Sequence, residues 1–263
     1  MPGRFANLEF DNEQHNRQDA EVLGSSMEDL ATRYYEQALE ASHWGQYEAA
    51  LRLHTRALGE ERACVAAWVG QIQMLVLLGE CHEARVWSDK ALDIFRNHGD
   101  LLAAKAQACV RLKDHKTALA CSDNALQVEG ESPWRWQVRG EVLLARKERF
   151  HDECFQKALV QPAADWFDRV IIARILCYYR RLTAALAYLQ EAVQLAPTHG
   201  GPWYELGQCQ VALGFIAPAH ESFQRCLELR TDWDEPRRSL LELDRGVPLR
   251  THLKGLLRGW RRK

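Results

Sequence analysis

The chain lacks the usual carriers of catalysis. Its 263 residues contain no HExxH, no glycine-rich phosphate loop and no GxSxG, the spacings that mark a zinc protease, a nucleotide loop or a serine hydrolase. Long alternation of apolar and polar residues, the pattern of a half-buried strand, is scarce, so the chain reads as all-α. No run reaches the ~20 apolar residues that a membrane-spanning helix needs. The first residues carry Arg4, Glu9, Asp11 and Glu13 with no apolar stretch, which does not fit a secretory signal. Eight cysteines are present, Cys64, Cys81, Cys109, Cys121, Cys154, Cys177, Cys209 and Cys226, without a CxxC pair. They read as reduced core residues, because a free thiol packs as a small hydrophobe and disulfides are rare in reducing compartments. A cytoplasmic protein is the expectation. The ten histidines are scattered. His151, Asp152 and Cys154 come together, but His151 also stands where the chain elsewhere has a small residue. No metal, cofactor or catalytic group is expected.

What is present is a period. Ala57, Ala91, Ala125, Ala158, Ala192 and Cys226 follow one another at steps of 34, 34, 33, 34 and 34 residues. Ala50, Ala84, Ala118, His151, Ala185 and Ala219 run in phase with them. A period near 34 is the signature of a helix-turn-helix solenoid. Small residues recur because two antiparallel helices must approach closely at their crossing, and larger residues fill the space beside it. One hairpin cannot bury its apolar face alone, so neighbours stack and share a core. Trp68, Trp136 and Trp203 fall in phase with the same frame.

The frame resembles the tetratricopeptide repeat (TPR). The sixth unit fits most closely, with Trp203-Tyr204-Glu205-Leu206-Gly207, then Gly214, Ala219, Phe223 and Cys226. The fifth closes with Ala185, Ala192, Leu195 and Pro197, and the fourth lacks one residue near its inter-helix turn. The units are placed at about 31–64, 65–98, 99–132, 133–165, 166–199 and 200–233. The resemblance implies one array of twelve antiparallel helices in a right-handed superhelix. A C-terminal capping helix, expected over Glu235 to Leu243, would cover the last apolar face.

In the TPR family the first helices of successive units line a concave groove. The resemblance therefore implies groove positions at Tyr35 and Leu39, Val69 and Gln73, and Ala103 and Gln107. They continue with Gln137 and Glu141, Val170 and Arg174, and Tyr204 and Gln208, with Trp134 and Phe167 beginning neighbouring turns. Co-chaperone members of the family clamp a peptide's C-terminal carboxylate with Lys, Asn and Arg. The first three units lack those residue types in the groove, so that ligand is not expected. Glutamine amides both donate to and accept from a peptide backbone. Mixed with aliphatic and aromatic groups they suit an extended segment or a partner helix.

The two ends differ from the array. Residues 1–25 are rich in Asn, Gln and acids and read as a disordered or weakly ordered arm. Order is expected from 26 onward, where Ser25 and Glu28 have capping-box spacing. The array and its cap occupy 26–245. Up to Asp244 the chain carries 27 basic and 36 acidic groups, net −9, and after Asp244 it carries seven bases and no acid. Within 246–263, Leu249, Leu253, Leu256, Leu257 and Trp260 share one face of a helical wheel. Arg250, Lys254, Arg258 and Arg261 share the other. Such a basic amphipathic helix can rest weakly on an anionic membrane, dock on a partner, or pack on the array's own end. The function expected is a non-catalytic scaffold that holds a protein or peptide partner in its groove. A membrane-associated assembly adaptor using the tail is the alternative. An RNA-binding helical repeat is a further one, although nucleic acid is not expected of a body at net −9 whose groove offers little positive charge beyond Arg174.

Overall fold

The computed structural model describes residues 20–130 and 132–245, with side chains from Leu30 onward. Among the described residues there are thirteen α-helices and no strand. Six hairpins follow in order: α1 (Ala20–His43) with α2 (Tyr47–Glu60), α3 (Val65–Leu77) with α4 (Cys81–Ile94), and α5 (Gly99–Arg111) with α6 (His115–Gln127). Then come α7 (Pro133–Ala145) with α8 (His151–Leu159), α9 (Trp166–Tyr178) with α10 (Leu182–Leu195), and α11 (Gly200–Leu213) with α12 (Ile216–Leu229). The last helix, α13 (Asp234–Asp244), packs on α12, as expected of a cap. The chain divides into two compact units, one holding α1–α6 and the other α7–α13. Helix α1 opens at Ala20. Ser25 thus lies inside it and does not cap it.

The periodic positions do what their size requires. Ala57, Ala91, Ala125, Ala158, Ala192 and Cys226 are fully buried, as are Ala50, Ala84, Ala118, Ala185 and Ala219. Where two helices cross most closely, glycine faces a phenyl ring. A Cβ on Gly140 would sit 2.7 Å from Phe155 Cδ1, and one on Gly207 would sit 2.8 Å from Phe223 Cδ1. Two of the tryptophans in phase fasten the links between hairpins. Trp68 Nε1 donates to Arg62 O at 2.9 Å, and Trp203 Nε1 donates to Pro197 O at 3.0 Å, each six residues back.

Every hairpin turn closes in the same way. A residue with positive φ follows the first helix: Gly45, Gly79, Lys113, Lys147, Arg180 and Gly214. The next N–H then reaches back five residues, as in Gln46 N to Ala41 O at 2.9 Å and Phe215 N to Gln210 O at 2.8 Å. This is the Schellman closure, which satisfies helix-end carbonyls at the cost of a left-handed residue. The fourth hairpin shows where its missing residue went. The turns of the second, third and fifth hairpins span three residues, while 146–150 separates α7 from α8. Lys147 and Glu148 close the usual turn. One residue is then lacking before His151, the first turn of α8 does not form, and Phe150 goes left-handed at φ 73°. His151 stands where a buried alanine would be and is only half-buried.

Buried polar side chains occur in both units, and His54 is one of those in the first. His54 lies against Gly70, and its ring centroid is 5.8 Å from that of Tyr35. Burial lowers its pKa to about 4, so its imidazole is neutral near pH 7. All eight cysteines are free. Burial pushes the Cys109 thiol up to about 11. A hydrogen bond to Cys209, and then burial, hold the Cys177 thiol well above its ordinary value. Neither is an activated nucleophile, which needs a lowered pKa. No described helix is long and apolar enough to cross a membrane.

Candidate functional site

The first helices of the second unit are joined by a polar ladder. Gln137 Nε2 on α7 donates to Asp168 Oδ1 on α9 at 2.5 Å. Arg174 on α9 reaches Glu205 on α11 at 2.5 Å, and Gln208 Nε2 on α11 donates to Ser239 Oγ on α13 at 3.3 Å. Each pair is separated by 31 residues, one repeat less one helical turn. A long donor on one helix thus meets a shorter acceptor one turn earlier on the next. Arg174–Glu205 and Gln208–Ser239 are the same pairing one repeat apart. Tyr179, just past α9, adds a rung by donating to Glu141 Oε1 at 3.3 Å.

These partners consume much of the expected groove. Gln137, Glu141 and Gln208 are buried, and Arg174 keeps 14% of its side chain exposed. Trp134 is buried with its Nε1 unpaired, while Phe167 is half-buried and edge-on to Trp166. Tyr204 is half-buried between Phe223 and Trp233 at ring distances of 5.8 and 5.2 Å. Burial raises its pKa. In the first unit Ala103 and Gln107 are buried. Tyr35, Val69 and Gln73 are half-buried, and Leu39 is 39% exposed. Tyr35 and Leu39 stand one turn apart on α1, and Val69 and Gln73 hold the same places on α3, 34 residues on. Tyr35 and Val69 pack against one apolar cluster. This is the most accessible part of the expected groove. The tail residues Arg250, Lys254, Arg258, Trp260 and Arg261, and the arm up to residue 19, lie outside the described residues.

Asp168, Tyr179, Glu205 and Ser239 are the partners that groove mapping missed. For Asp168, Glu205 and Ser239 the recurring separation of 31 between a long donor and a shorter acceptor was the available signal; Tyr179, 38 residues from Glu141, lies outside it. Asp168 also accepts from Asp165 N at 2.9 Å, while Asp165 Oδ1 accepts from Phe167 N at 2.7 Å, a reciprocal cap on α9. Desolvation outweighs these bonds and raises the Asp168 pKa to about 6. The sign follows from linkage. The folded state holds this proton more tightly than the unfolded chain, so stability from Asp168 is greatest below the ordinary value of 3.8 and declines as pH rises to about 6. A carboxyl carbon titration by NMR should place Asp168 near pH 6. A midpoint near 4 would remove the desolvation argument.

The candidate metal cluster does not assemble. His151 Nδ1 lies 3.2 Å from Glu148 O, its Nε2 is 3.5 Å from Asp152, and Cys154 is buried. Among the described residues no group of three His, Cys, Asp or Glu is placed to hold a metal ion.

Hairpins of this length, crossing at buried alanines and closed by identical turns, define a helical-repeat fold of the TPR type. Comparison with one solved structure agrees. A tetratricopeptide repeat protein from Parabacteroides merdae superposes with a TM-score of 0.52 at 16% identity, covering 86% of this chain and 87% of that one. YrrB, described as a TPR protein with an unusual peptide-binding site, gives 0.39 at 18% identity over 71% of this chain and 96% of its own. A human IFIT1 dimer with PPP-AAAA gives 0.47 at 15% identity over 96% and 74%. No protein-family model matches the chain, and no curated protein sequence does.

Proposed function

We propose that this protein is a non-catalytic interaction scaffold that holds a peptide segment or partner helix on the first-helix face. One observation carries this reading. Tyr35 and Leu39 on α1 and Val69 and Gln73 on α3 hold the same register positions one repeat apart, Tyr35 and Val69 pack against one apolar cluster, and all four keep some exposure. An apolar anchor beside an amide that can pair with a backbone suits such a ligand. In the second unit the corresponding polar residues Gln137, Glu141, Arg174 and Gln208 are taken up by Asp168, Tyr179, Glu205 and Ser239.

The test is selection of binders from a displayed random-peptide library on the full chain, followed by measurement on Leu39→Asp and Gln73→Ala. Leu39 is already exposed, so helicity by circular dichroism should be unchanged. Binders selected on the original chain should lose at least about tenfold in affinity, or roughly 1.4 kcal/mol. Selected peptides that bind both variants undiminished would move recognition away from this face.

A further inference from the structure

The hairpin turns of the second unit differ in chemistry from those of the first. In the first unit the turns at 44–46, 78–80 and 112–114 hold one base, Lys113, and two acids, Glu80 and Asp114. In the second unit the turns at 146–150, 179–181 and 214–215 hold five bases, Arg146, Lys147, Arg149, Arg180 and Arg181. Their one acid, Glu148, pairs with Arg146. Large apolar side chains are also exposed here: Phe150 at 65%, Phe215 at 48% and Ile216, the first residue of α12, at 41%. The exposed ones of the first unit, Leu39, Val86 and Ile94, all lie within helices.

These three turns lie along one edge. Each follows a first helix, and α7, α9 and α11 are tied to one another by the Gln137–Asp168 and Arg174–Glu205 bonds. Close to the turns, Tyr179 donates to Glu141 at 3.3 Å, and Leu182 O, one residue past the fifth turn, accepts from Cys209 Sγ at 3.5 Å. Exposed Ala184, Ala187, Ala217 and Pro218 continue the apolar surface onto α10 and α12. Asp152 and Glu153 on α8 offset part of the charge, but 178–190 and 206–220 contain no acid. Phe150 is the outlier. Glycine would adopt its φ of 73° with less strain, and its ring is left mostly in water.

We propose that this edge rests on an anionic lipid surface. Phe150, Phe215 and Ile216 enter the headgroup layer, and Lys147, Arg149, Arg180 and Arg181 face lipid phosphate. Charge complementarity calls for an anionic partner, and the form of the site favours a bilayer. A peptide is held in a groove or along a sheet edge. Here apolar groups project from chain reversals, which a soft planar surface can accept together. Apolar groups flanked by Lys and Arg attach interfacial segments, and each base near an anionic surface adds to the attraction. The chain up to Asp244 is net −9. Charges beyond about 8 Å are screened at physiological ionic strength, so the edge acts by its own charge.

Co-sedimentation of the full chain with vesicles tests this. Vesicles of equal parts phosphatidylcholine and phosphatidylserine should hold the chain at least about tenfold more tightly than phosphatidylcholine alone, and added salt should weaken the attachment. Phe150→Gly, and Phe215→Ser with Ile216→Ser, should each reduce it at least about fivefold. Arg149→Gln with Arg181→Gln should reduce it about tenfold or more. Phe150→Gly relieves the left-handed strain, so its urea midpoint should not fall, and its lost attachment is not lost folding. Attachment that survives all these substitutions overturns the inference and assigns lipid contact to another part of the chain. Equal sedimentation with both lipid mixtures, or with neither, overturns it too. Capture of a polyglutamate peptide in that case, lost on Arg149→Gln with Arg181→Gln, assigns the edge to an acidic protein segment.

Discussion

Gly140→Ile is expected to destabilise the protein by about 3 kcal/mol, the upper end of what overpacking a core costs. Any Cβ on Gly140 meets the ring of Phe155, which is fully buried and has nowhere to turn. Phe155→Ser should be worse, about 4 kcal/mol, because it opens a cavity and leaves a hydroxyl to be satisfied. Together the two changes should partly rescue each other. The second hairpin carries that very combination, with Ile72 and Ser88 at the corresponding positions, both fully buried. A coupling of about 3 kcal/mol is expected across the four-member cycle, read from urea unfolding. The double variant should thus lose about 4 kcal/mol; losses that simply add, to about 7 kcal/mol, would show that size is not exchanged between these two positions.

The Arg174–Glu205 pair should show the opposite asymmetry. Its side chains are 14% and 5% exposed. Arg174→Met strands the Glu205 carboxylate out of water and should cost about 3 kcal/mol, as breaking a buried pair does. Arg174→Met with Glu205→Leu removes both desolvation penalties. It should recover to within about 1 kcal/mol of the original protein or exceed it. Thermal or urea unfolding of the three proteins decides the matter. If the double variant is as weak as Arg174→Met, the pair contributes net stability and the ladder is more than a register device.

The polar residues of the first helices show how far spacing can be read. Their period put Gln137, Glu141, Arg174 and Gln208 at groove positions, and in the structure each is bonded to a partner on a neighbouring segment. Spacing alone did not reveal that the face is partly closed by its own residues. An unpaired glutamine in a groove and a glutamine bonded to Asp168 have the same helical phase. What separates them is whether an acceptor stands one turn back on the next helix, which depends on how the helices stack. Helix α1 makes a related point. Ser25 and Glu28 have capping spacing, yet the helix continues back to Ala20, because a cap pattern inside a helix-compatible stretch does not force a boundary.

The sequence by itself determined the all-α class, the length of each hairpin and the identity of the crossing residues. Those depend on local periodicity and on side-chain volume, and both are written in one dimension. The left-handed turns could be read where glycine marks them, at Gly45, Gly79 and Gly214. They could not be read at Lys113, Lys147 and Arg180, where the Schellman closure imposes the same φ on a lysine or arginine. Only the tertiary structure decided that the division falls after the third hairpin and that Arg174 faces Glu205. It alone showed that Leu241 on α13 is 48% exposed. Each of these is a relation between helices about one repeat apart, fixed by packing angle and by which atoms arrive within bonding distance.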